Sequence, residues 1–339
     1  MQKKFLVLGL VLFFSFNSIY AENLSIFGSI QNGTTGGKGK ADSIRMLALQ
    51  GAMLPLAEIG PQDGQFRFPK MELPEGAPIL LQIQYQGVNY NKMIPPTTQF
   101  RTSPQEVVVY ESGGKRNQVS VKSLMQVMRE KKGLRVFKLF LLDNSSKPPR
   151  SFFEKGNEIE YYVPENATEV FSQIQQPGSK MAIPLSTVPG NSGGKILDRA
   201  LLPGVSELQV SYLVAGNESI IEEMLLVESE SGKFPVFVKP KEMELKTNGT
   251  IGIQKLTKDV PPGLSAYVMD SVPFGTKVNL EFIGGKPVPS LANTKNPEIL
   301  NGSILTTWDL SLFGVIGFLG LLFTLSFLFV YKNSKKGAI

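Results

Sequence analysis

Histidine and cysteine are both absent from the 339-residue sequence. Without them the chain lacks the imidazole base and the thiolate nucleophile that many hydrolytic enzymes use, and a metal site would need carboxylate and carbonyl oxygens alone. The lack of cysteine also excludes a disulfide framework, which favours a bacterial envelope over an oxidising eukaryotic lumen. We therefore expect a protein that is not an enzyme and that binds no cofactor and no metal.

A strong charge of one sign is also missing from the body of the chain. The formal net charge is +6, but Lys3, Lys4, Lys332, Lys335 and Lys336 hold five of the 35 basic residues at the two ends. The remaining 30 basic residues face 29 acidic ones. This balance gives no electrostatic basis for binding nucleic acid, so no nucleic-acid partner is expected.

The two ends predict a membrane topology. A basic start, the apolar run Phe5–Phe16 and a polar, small-residue stretch that ends at Ala21 are typical of a secretory signal peptide. Leu310–Val330 carries no charge over 21 residues. It would span roughly 31 Å as a helix, close to the hydrocarbon thickness of a bilayer. Lysines follow at once, so we predict a single-pass protein of the bacterial cytoplasmic membrane with a periplasmic ectodomain and a cytoplasmic C-terminus.

Glycines recur at every third position within the predicted span. Gly314, Gly317 and Gly320 would share one side of a helix and admit a close helical neighbour. The established dimer motif spaces its glycines by four residues, and glycine is common in membrane helices in general. These residues are therefore candidates for helix packing, with ordinary span composition as the alternative.

Between the ends, short apolar runs alternate with turn signals, which predicts an all-β ectodomain. In the first part we expect a strand at Leu24–Gln31, a hairpin from Arg45–Gln50 to Met53–Ala57, and a second hairpin from Ile79–Tyr85 to Val88–Met93 around Gln86-Gly87. With the turn Asp63-Gly64 before Gln65–Phe68 and a last strand at Val107–Tyr110, about seven strands result, enough for a small sandwich.

Three segments of this part carry a resemblance to a known family. They are Gly28-Ser29-Ile30, Asp63–Phe68 (DGQFRF) and Tyr85–Tyr90 (YQGVNY). Together they resemble the carboxypeptidase regulatory-like, or transthyretin-like, sandwich family over about residues 23–111. That resemblance implies an accessory or adhesive module without catalytic activity.

The second part predicts further strands. Val119–Glu130 fits either a strand or a helix, and we favour a strand because Gly133 then forms a turn into Leu134–Asp143. Later strands lead to a sandwich of the immunoglobulin or fibronectin type III kind, and the architecture resembles uncharacterised single-span bacterial envelope proteins. The predicted organisation is a signal peptide (1–21), a transthyretin-like sandwich (22–112), a second sandwich (118–285), a linker (286–307), a transmembrane helix (310–330) and a cytoplasmic tail (331–339).

Two motifs imitate enzymes but lack the partners that those enzymes need. Gly190–Gly194 (GNSGG) matches the nucleophile loop of trypsin-like proteases, but no histidine is available to activate Ser192. Ser192 and Lys195 also match the S-x-x-K spacing, yet two glycines between them disfavour the helix that this motif requires. The loop Gly33–Lys40 does not meet the spacing of a phosphate-binding loop. We expect turns at both places.

Tyrosines and glutamates remain as candidates for a binding surface. Tyr85 and Tyr90 lie on the predicted hairpin and are candidate partner-binding residues, although most strand tyrosines are expected in the core. The acidic group Glu222, Glu223, Glu228 and Glu230 alternates with apolar residues and is interpreted as a solvated strand face. We therefore expect a membrane-anchored, extracytoplasmic binding or scaffold protein that presents β-sandwich domains to a protein or glycan partner. The alternative is an accessory assembly subunit of an envelope membrane complex, and an enzyme is less favoured.

Overall fold

The computed structural model describes residues 22–289, except 157, 180, 217–218, 227–231, 248–250, 259 and 271–273. This part of the chain is all-β, which confirms the fold class predicted from the alternating pattern. The chain divides into two compact units, Met1–Val288 and Pro289–Ile339. The predicted signal peptide, transmembrane helix and cytoplasmic tail lie outside the described residues.

Residues 22–109 surround a first hydrophobic core. Their strands are β1 (Glu22–Leu24), β2 (Phe27–Asn32), β3 (Lys40–Ala41), β4 (Ser43–Leu49), β5 (Met53–Ile59), β6 (Gln62–Asp63), β7 (Gln65–Arg67), β8 (Met71–Leu73), β9 (Ile79–Tyr85), β10 (Val88–Ile94) and β11 (Gln105–Val109), with a short helix α1 (Thr98–Thr102) before β11. A four-stranded sheet of order β10-β9-β4-β5 and a three-stranded sheet of order β11-β2-β7 both bury side chains in this core.

The local sequence explains the two hairpins that were predicted here. Gln86 and Gly87 both have positive φ, +49° and +76°, as the two central residues of a type I′ turn require. The turn joins β9 to β10 in the expected register, with Tyr85 opposite Val88. Phe66 and Phe68 are both buried and meet edge to face at 6.4 Å between ring centroids, so they point to one side as predicted.

The junction after β11 is tied by hydrogen bonds. Glu111 accepts a hydrogen bond from the Tyr85 hydroxyl at 2.8 Å and from the Asn32 amide at 2.6 Å. Tyr90 lies 2.8 Å from the Ser151 hydroxyl and donates to the carbonyl of Tyr110 at 2.8 Å. These bonds connect the first core to the segment around Ser151 within a single compact unit, and the expected division into domains 22–112 and 118–285 stays a prediction.

Residues 116–283 surround a second core. After a 3₁₀ turn (Arg116–Gln118) the strands are β12 (Val119–Glu130), β13 (Gly133–Asn144), β14 (Glu160–Tyr161), β15 (Ala167–Gln175), β16 (Ala182–Pro184), β17 (Val188–Pro189), β18 (Lys195–Ile196), β19 (Gly204–Ala215), β20 (Ile220–Met224), β21 (Lys233–Lys239), β22 (Glu244–Thr247), β23 (Ile253–Leu256), β24 (Ser265–Asp270) and β25 (Lys277–Ile283). The strand interpretation of Val119–Glu130 is confirmed.

Eight of these strands form one sheet, in the order β16-β15-β19-β13-β12-β21-β24-β23, which we call the long sheet. β13 lies near its middle and pairs along its full length with β12 and β19. A three-stranded sheet of order β20-β25-β22, the short sheet, contributes to the second core together with one face of the long sheet. We call that face of the long sheet its inner face and the opposite face its outer face.

Candidate interaction surface

The central strand of the long sheet is apolar on both faces. On the inner face, Leu134, Val136, Phe140 and Leu142 are buried in the second core. Between them, Phe137, Leu139 and Leu141 are half-buried and point to the outer face. An antiparallel strand with one solvated face normally alternates apolar and polar residues. β13 departs from this pattern, because Phe137, Leu139 and Leu141 stand on its outer face between Arg135 and Asp143.

Neighbouring strands extend this apolar surface across the outer face. Leu124 of β12 lies directly opposite Leu139. Phe171 of β15 and Phe237 of β21 lie in the same cross-strand row as Phe137, two strands away on either side. We call six of the apolar side chains on this face the outer band: Phe137, Leu139, Leu141, Leu124, Phe171 and Phe237.

Within the described part of the chain, five of the six side chains of the outer band are half-buried, and Phe171 is exposed. None of its residues belongs to either hydrophobic core or packs against one. Phe171 leaves 41% of its surface exposed. Ser211 and Gln126 lie between Phe137 and the two outer phenylalanines. Aromatic side chains set among polar ones on a sheet face are common in protein interfaces.

Charged residues end the band at the β12–β13 turn. Arg135 is nearly buried on the outer face, forms an ion pair with Glu169, and lies 3.6 Å from the Glu130 carboxylate. Lys132 approaches Glu169 at 3.8 Å. The hydrogen bond from Arg135 lowers the pKa of Glu169. This ion-pair cluster is already neutralised within the chain, so the unmatched part of the outer face is the apolar band itself.

The candidate residues Tyr85 and Tyr90 lie elsewhere, in the first core. Both rings are buried, which confirms the expectation that strand tyrosines are mainly core residues. Burial, followed by the hydrogen bond to Glu111, raises the pKa of Tyr85 to about 12. Burial also raises the pKa of Tyr90. A partner at this hairpin would meet the exposed turn Gln86-Gly87 before it met the rings, and partner binding by these residues stays a prediction.

The inner face contains a charge pair that the sequence interpretation missed. Lys138 is 2% exposed and Glu223 is 6% exposed, and the two side chains form an ion pair in the second core. The Lys138 ammonium also donates to the carbonyl of Tyr162 at 2.9 Å. Burial lowers the pKa of Lys138 and raises the pKa of Glu223. The interpretation of Glu223 as solvated was therefore wrong.

Glu222 points away from Glu223, because adjacent strand residues face opposite sides. Its carboxylate accepts a hydrogen bond from Tyr162 and one from Lys277 at 2.9 Å. The interpretation of Glu222 as a surface residue agrees with its partly exposed side chain. Glu228 and Glu230 lie outside the described residues. The cavity beside Glu223 measures about 10 Å³, room for roughly one water and for no larger ligand.

The GNSGG segment forms a turn, as expected. The backbone N–H groups of Asn191 and Ser192 donate to the carboxylate of Glu160, at 3.0 and 3.1 Å. A Cβ atom on Gly190 would lie 2.3 Å from a Glu160 carboxylate oxygen, so this carboxylate would have to move away from the turn. The backbone donors of the turn are therefore occupied by a side chain of the same protein.

Two further predictions depend on residues at the C-terminal end. The helices in the described part of the chain are all too short to cross a bilayer. The predicted span 310–330, with the candidate packing residues Gly314, Gly317 and Gly320, lies outside that part. Among the described residues, no group of acidic side chains is arranged to hold a metal ion.

Two signals in the sequence pointed to features that were overlooked. The run Leu134–Leu142 is apolar at nearly every position, which indicates a strand with two apolar faces. Lys138 within that run falls at an inner-face position, which requires a buried counter-charge.

Comparison with known protein families and with curated proteins finds no match to this chain.

Proposed function

We propose that this chain is a membrane-anchored, extracytoplasmic scaffold that binds a protein partner through the outer face of the long sheet. The observation that carries the proposal is the outer band, whose apolar side chains, among the described residues, neither belong to a hydrophobic core nor pack against one. Its aromatic and leucine side chains match the composition of protein interfaces better than that of glycan sites, which need several polar groups. A protein partner is therefore favoured over a glycan.

The rest of the proposal concerns the domain organisation of the chain. We propose two β-sandwich domains, the first similar to the carboxypeptidase regulatory-like family and the second of the immunoglobulin or fibronectin type III kind. Two sheets around each core support this interpretation, as do the Asp63-Gly64 turn and the β9–β10 hairpin of the first part. The signal peptide 1–21 and the span 310–330 would place both domains in the periplasm of a bacterial envelope.

The scaffold role is proposed without catalysis. Ser192 lies in a turn whose backbone donors bind Glu160, and no histidine exists to activate the hydroxyl group. The full chain should therefore show no turnover on peptide, ester and glycan substrates. Turnover that disappears in Ser192→Ala would overturn this part of the proposal.

Site-specific photo-crosslinking in intact cells tests the binding surface. A benzophenone side chain is placed at Phe171 on the outer face or, as a matched control, at Val108 in the first part. Both residues are 41% exposed, so solvent access alone does not distinguish them. We expect protein adducts from position 171 and few from position 108. Equal yields at both positions, or none at 171, would show that the outer face is not a protein-binding surface.

Removal of the predicted span tests the anchor. The full chain should sediment with membranes, and a variant that ends before Leu310 should appear in the soluble periplasmic fraction. A truncated chain that still sediments with membranes would contradict anchoring by 310–330. This result does not depend on the outer face, so the two parts of the proposal are tested separately.

A further inference from the structure

An amine and a carboxyl group meet inside the second core. Lys138 extends from the inner face of β13, and Glu223 extends from β20 of the short sheet. Their side chains form an ion pair, and the two residues leave only 2% and 6% of their surfaces exposed. The rings of Tyr162 and Tyr212 lie beside the Lys138 nitrogen, with their centroids at 5.8 and 5.4 Å. The core therefore encloses both charges and keeps bulk water away from them.

The hydrogen bonds around this pair are incomplete for two charged groups. An ammonium group has three N–H donors, and a carboxylate has two acceptor oxygens. The Lys138 nitrogen donates to the carbonyl of Tyr162 at 2.9 Å, and Oε1 of Glu223 accepts from the backbone N–H of Met224 at 3.2 Å. Oε2 of Glu223 contacts the Lys138 nitrogen but, among the described residues, makes no hydrogen bond of normal geometry. Buried ions with incomplete hydrogen bonding are costly to the fold.

An amide bond between the two side chains would match the hydrogen bonds that are present. A secondary amide has one N–H donor and one carbonyl oxygen. The N–H group would keep the carbonyl of Tyr162, and Oε1 would keep the N–H group of Met224. The oxygen that a condensation removes is Oε2, the one without a hydrogen bond. The cavity of about 10 Å³ beside Glu223 has room for roughly one water molecule, which is the other product.

We propose that Lys138 and Glu223 condense to form an intramolecular amide bond that joins the long sheet to the short sheet. The inference goes beyond the proposed function and depends neither on the outer band nor on the membrane anchor. The ammonium and the carboxylate together lose one water molecule, and no oxidant, nucleotide or other reactant is consumed. The ion pair is the state of the chain before this reaction, so a freshly folded chain contains it.

The reaction begins with a proton transfer from the Lys138 ammonium to Oε2 of Glu223. Burial favours the resulting neutral amine and carboxylic acid, because it lowers the pKa of Lys138 and raises the pKa of Glu223. The nitrogen lone pair then forms a bond to Cδ, while the N–H group of Met224 donates to the charge that develops on Oε1. A second proton moves from nitrogen to Oε2, the bond between Cδ and Oε2 breaks, and water leaves. The nitrogen keeps its third proton, which donates to Tyr162.

Burial and fixed contact explain why the condensation is favourable here and not in bulk water. In water, hydration stabilises the ammonium and the carboxylate relative to the amide, and the core withdraws that hydration. Two groups held in contact also react as if one were present at a concentration of about 10⁵–10⁸ M. Condensation therefore requires a pair that is both enclosed and in contact, as Lys138 and Glu223 are.

Mass spectrometry of the full chain in detergent tests for the bond. Between fresh preparation and the end of a week of incubation, the wild-type chain should become lighter by the mass of one water molecule. Trypsin cleaves after lysine only where the amine is free. The digest should therefore contain residues 136–150 joined to residues 200–233, in place of the separate peptides 136–138 and 200–233.

The exposed ion pair of Glu222 and Lys277 is an internal control. Their charged atoms are 2.9 Å apart, but the side chains are 40% and 57% exposed, so both ions stay hydrated. We expect no bond between them. A bond at this site would join residues 200–233 to residues 259–295 in the digest, which the mass of the linked peptides distinguishes from a bond to Lys138.

Two variants test whether the lost water comes from the buried pair. Lys138→Arg keeps a positive charge opposite Glu223, but its guanidinium is not deprotonated in proteins and cannot act as the nucleophile. Lys138→Met combined with Glu223→Met removes both reacting groups. Each variant should keep its full mass through the same incubation. Circular dichroism identifies which variants are folded, and either folded variant is sufficient as the control.

Each result decides the question. A folded wild-type chain that keeps its full mass to the end of the week overturns the proposal. A loss of water that Lys138→Arg shares, or a link from 200–233 to 259–295 in place of 136–150, also overturns it. The bond and the proposed function fail separately, because adducts from position 171 report the binding surface and the linked peptides report the core.

Discussion

The two faces of the long sheet differ in what contacts their side chains within the described part of the chain. On the inner face, the short sheet supplies apolar side chains, and Lys138 receives its counter-charge from Glu223 of that sheet. On the outer face, the charges of Arg135, Glu130 and Glu169 are matched, but the apolar band is not. The inner face therefore stabilises the fold, whereas the outer face is the surface that we propose for an interaction. The comparison can be tested because both faces belong to the same strands.

The largest effect is expected from removal of one partner of the inner charge pair. Lys138→Ala would leave Glu223 buried without a counter-charge, and it would also remove the donor to the carbonyl of Tyr162. Loss of one member of a buried pair costs about 3–5 kcal/mol. Urea unfolding of the full chain in detergent, followed by circular dichroism, measures this loss.

The control replaces both charges. In the double variant Lys138→Met and Glu223→Met, no uncompensated charge remains. The free energy of unfolding should then lie within about 1–2 kcal/mol of the wild-type value, or above it. If the double variant were as unstable as Lys138→Ala, the cost would come from lost packing and not from the unpaired charge.

A matched pair of leucines on β13 compares the faces directly. Leu142 is completely buried on the inner face, and Leu139 is half-buried on the outer face. Leu142→Ala should lower the free energy of unfolding by about 2–5 kcal/mol, because a cavity forms in the core. Leu139→Ala should lower it by a smaller amount in detergent, because the side chain is only half-buried and packs against neither core among the described residues. Equal losses would mean that the outer face is packed against other residues of its own chain.

Acid titration compares a carboxylate from each face. The pKa of Glu169 is lowered by Arg135, so its contribution is present above the ordinary carboxyl pKa of about 4.3 and is lost as the pH falls through the lowered value. The pKa of Glu223 is raised by burial, so its ionisation costs stability as the pH rises from about 4.3 through the raised value.

Neutral variants should therefore change the pH dependence in opposite directions. Glu169→Gln should make the loss of stability on acidification smaller, by less than about 1 kcal/mol because this side chain is partly solvated. Glu223→Gln should make that loss larger, since the wild-type chain gains from protonation of Glu223. Unfolding free energies at pH 7 and pH 4 measure both slopes. If both variants changed the pH dependence of the unfolding free energy in the same direction, the contrast between Glu169 and Glu223 would be refuted.

Much of the fold could be predicted from local pattern. The hairpin around Gln86-Gly87 follows from alternation and from two residues with positive φ, and the β12–β13 pair follows from the glycine turn at Gly133. The short helix Thr98–Thr102 was not predicted, because five residues give too little periodicity to recognise. The parallel pairings of β2 with β11 and of β12 with β21 were not predictable either, since they join segments far apart in the chain.

The candidate surface was harder to predict for a different reason. A residue such as Leu139 has the same identity whether it faces a core or an open surface, and only the register of the sheet separates the two cases. Likewise, the strand pattern alone predicts a solvated Glu223, because it does not show that Lys138 lies across the core. Pairing between distant strands is a tertiary property, which a single strand pattern does not contain.

The smallest effect on folding is expected from the outer charges Lys122 and Glu207. Each lies at an outer-face position where charge reversal creates no buried charge within one chain. Lys122→Glu and Glu207→Lys should therefore change the free energy of unfolding in detergent by less than about 0.5 kcal/mol. A large loss of stability from either variant would instead assign the outer face a role within the fold, and the contrast between the two faces would no longer hold.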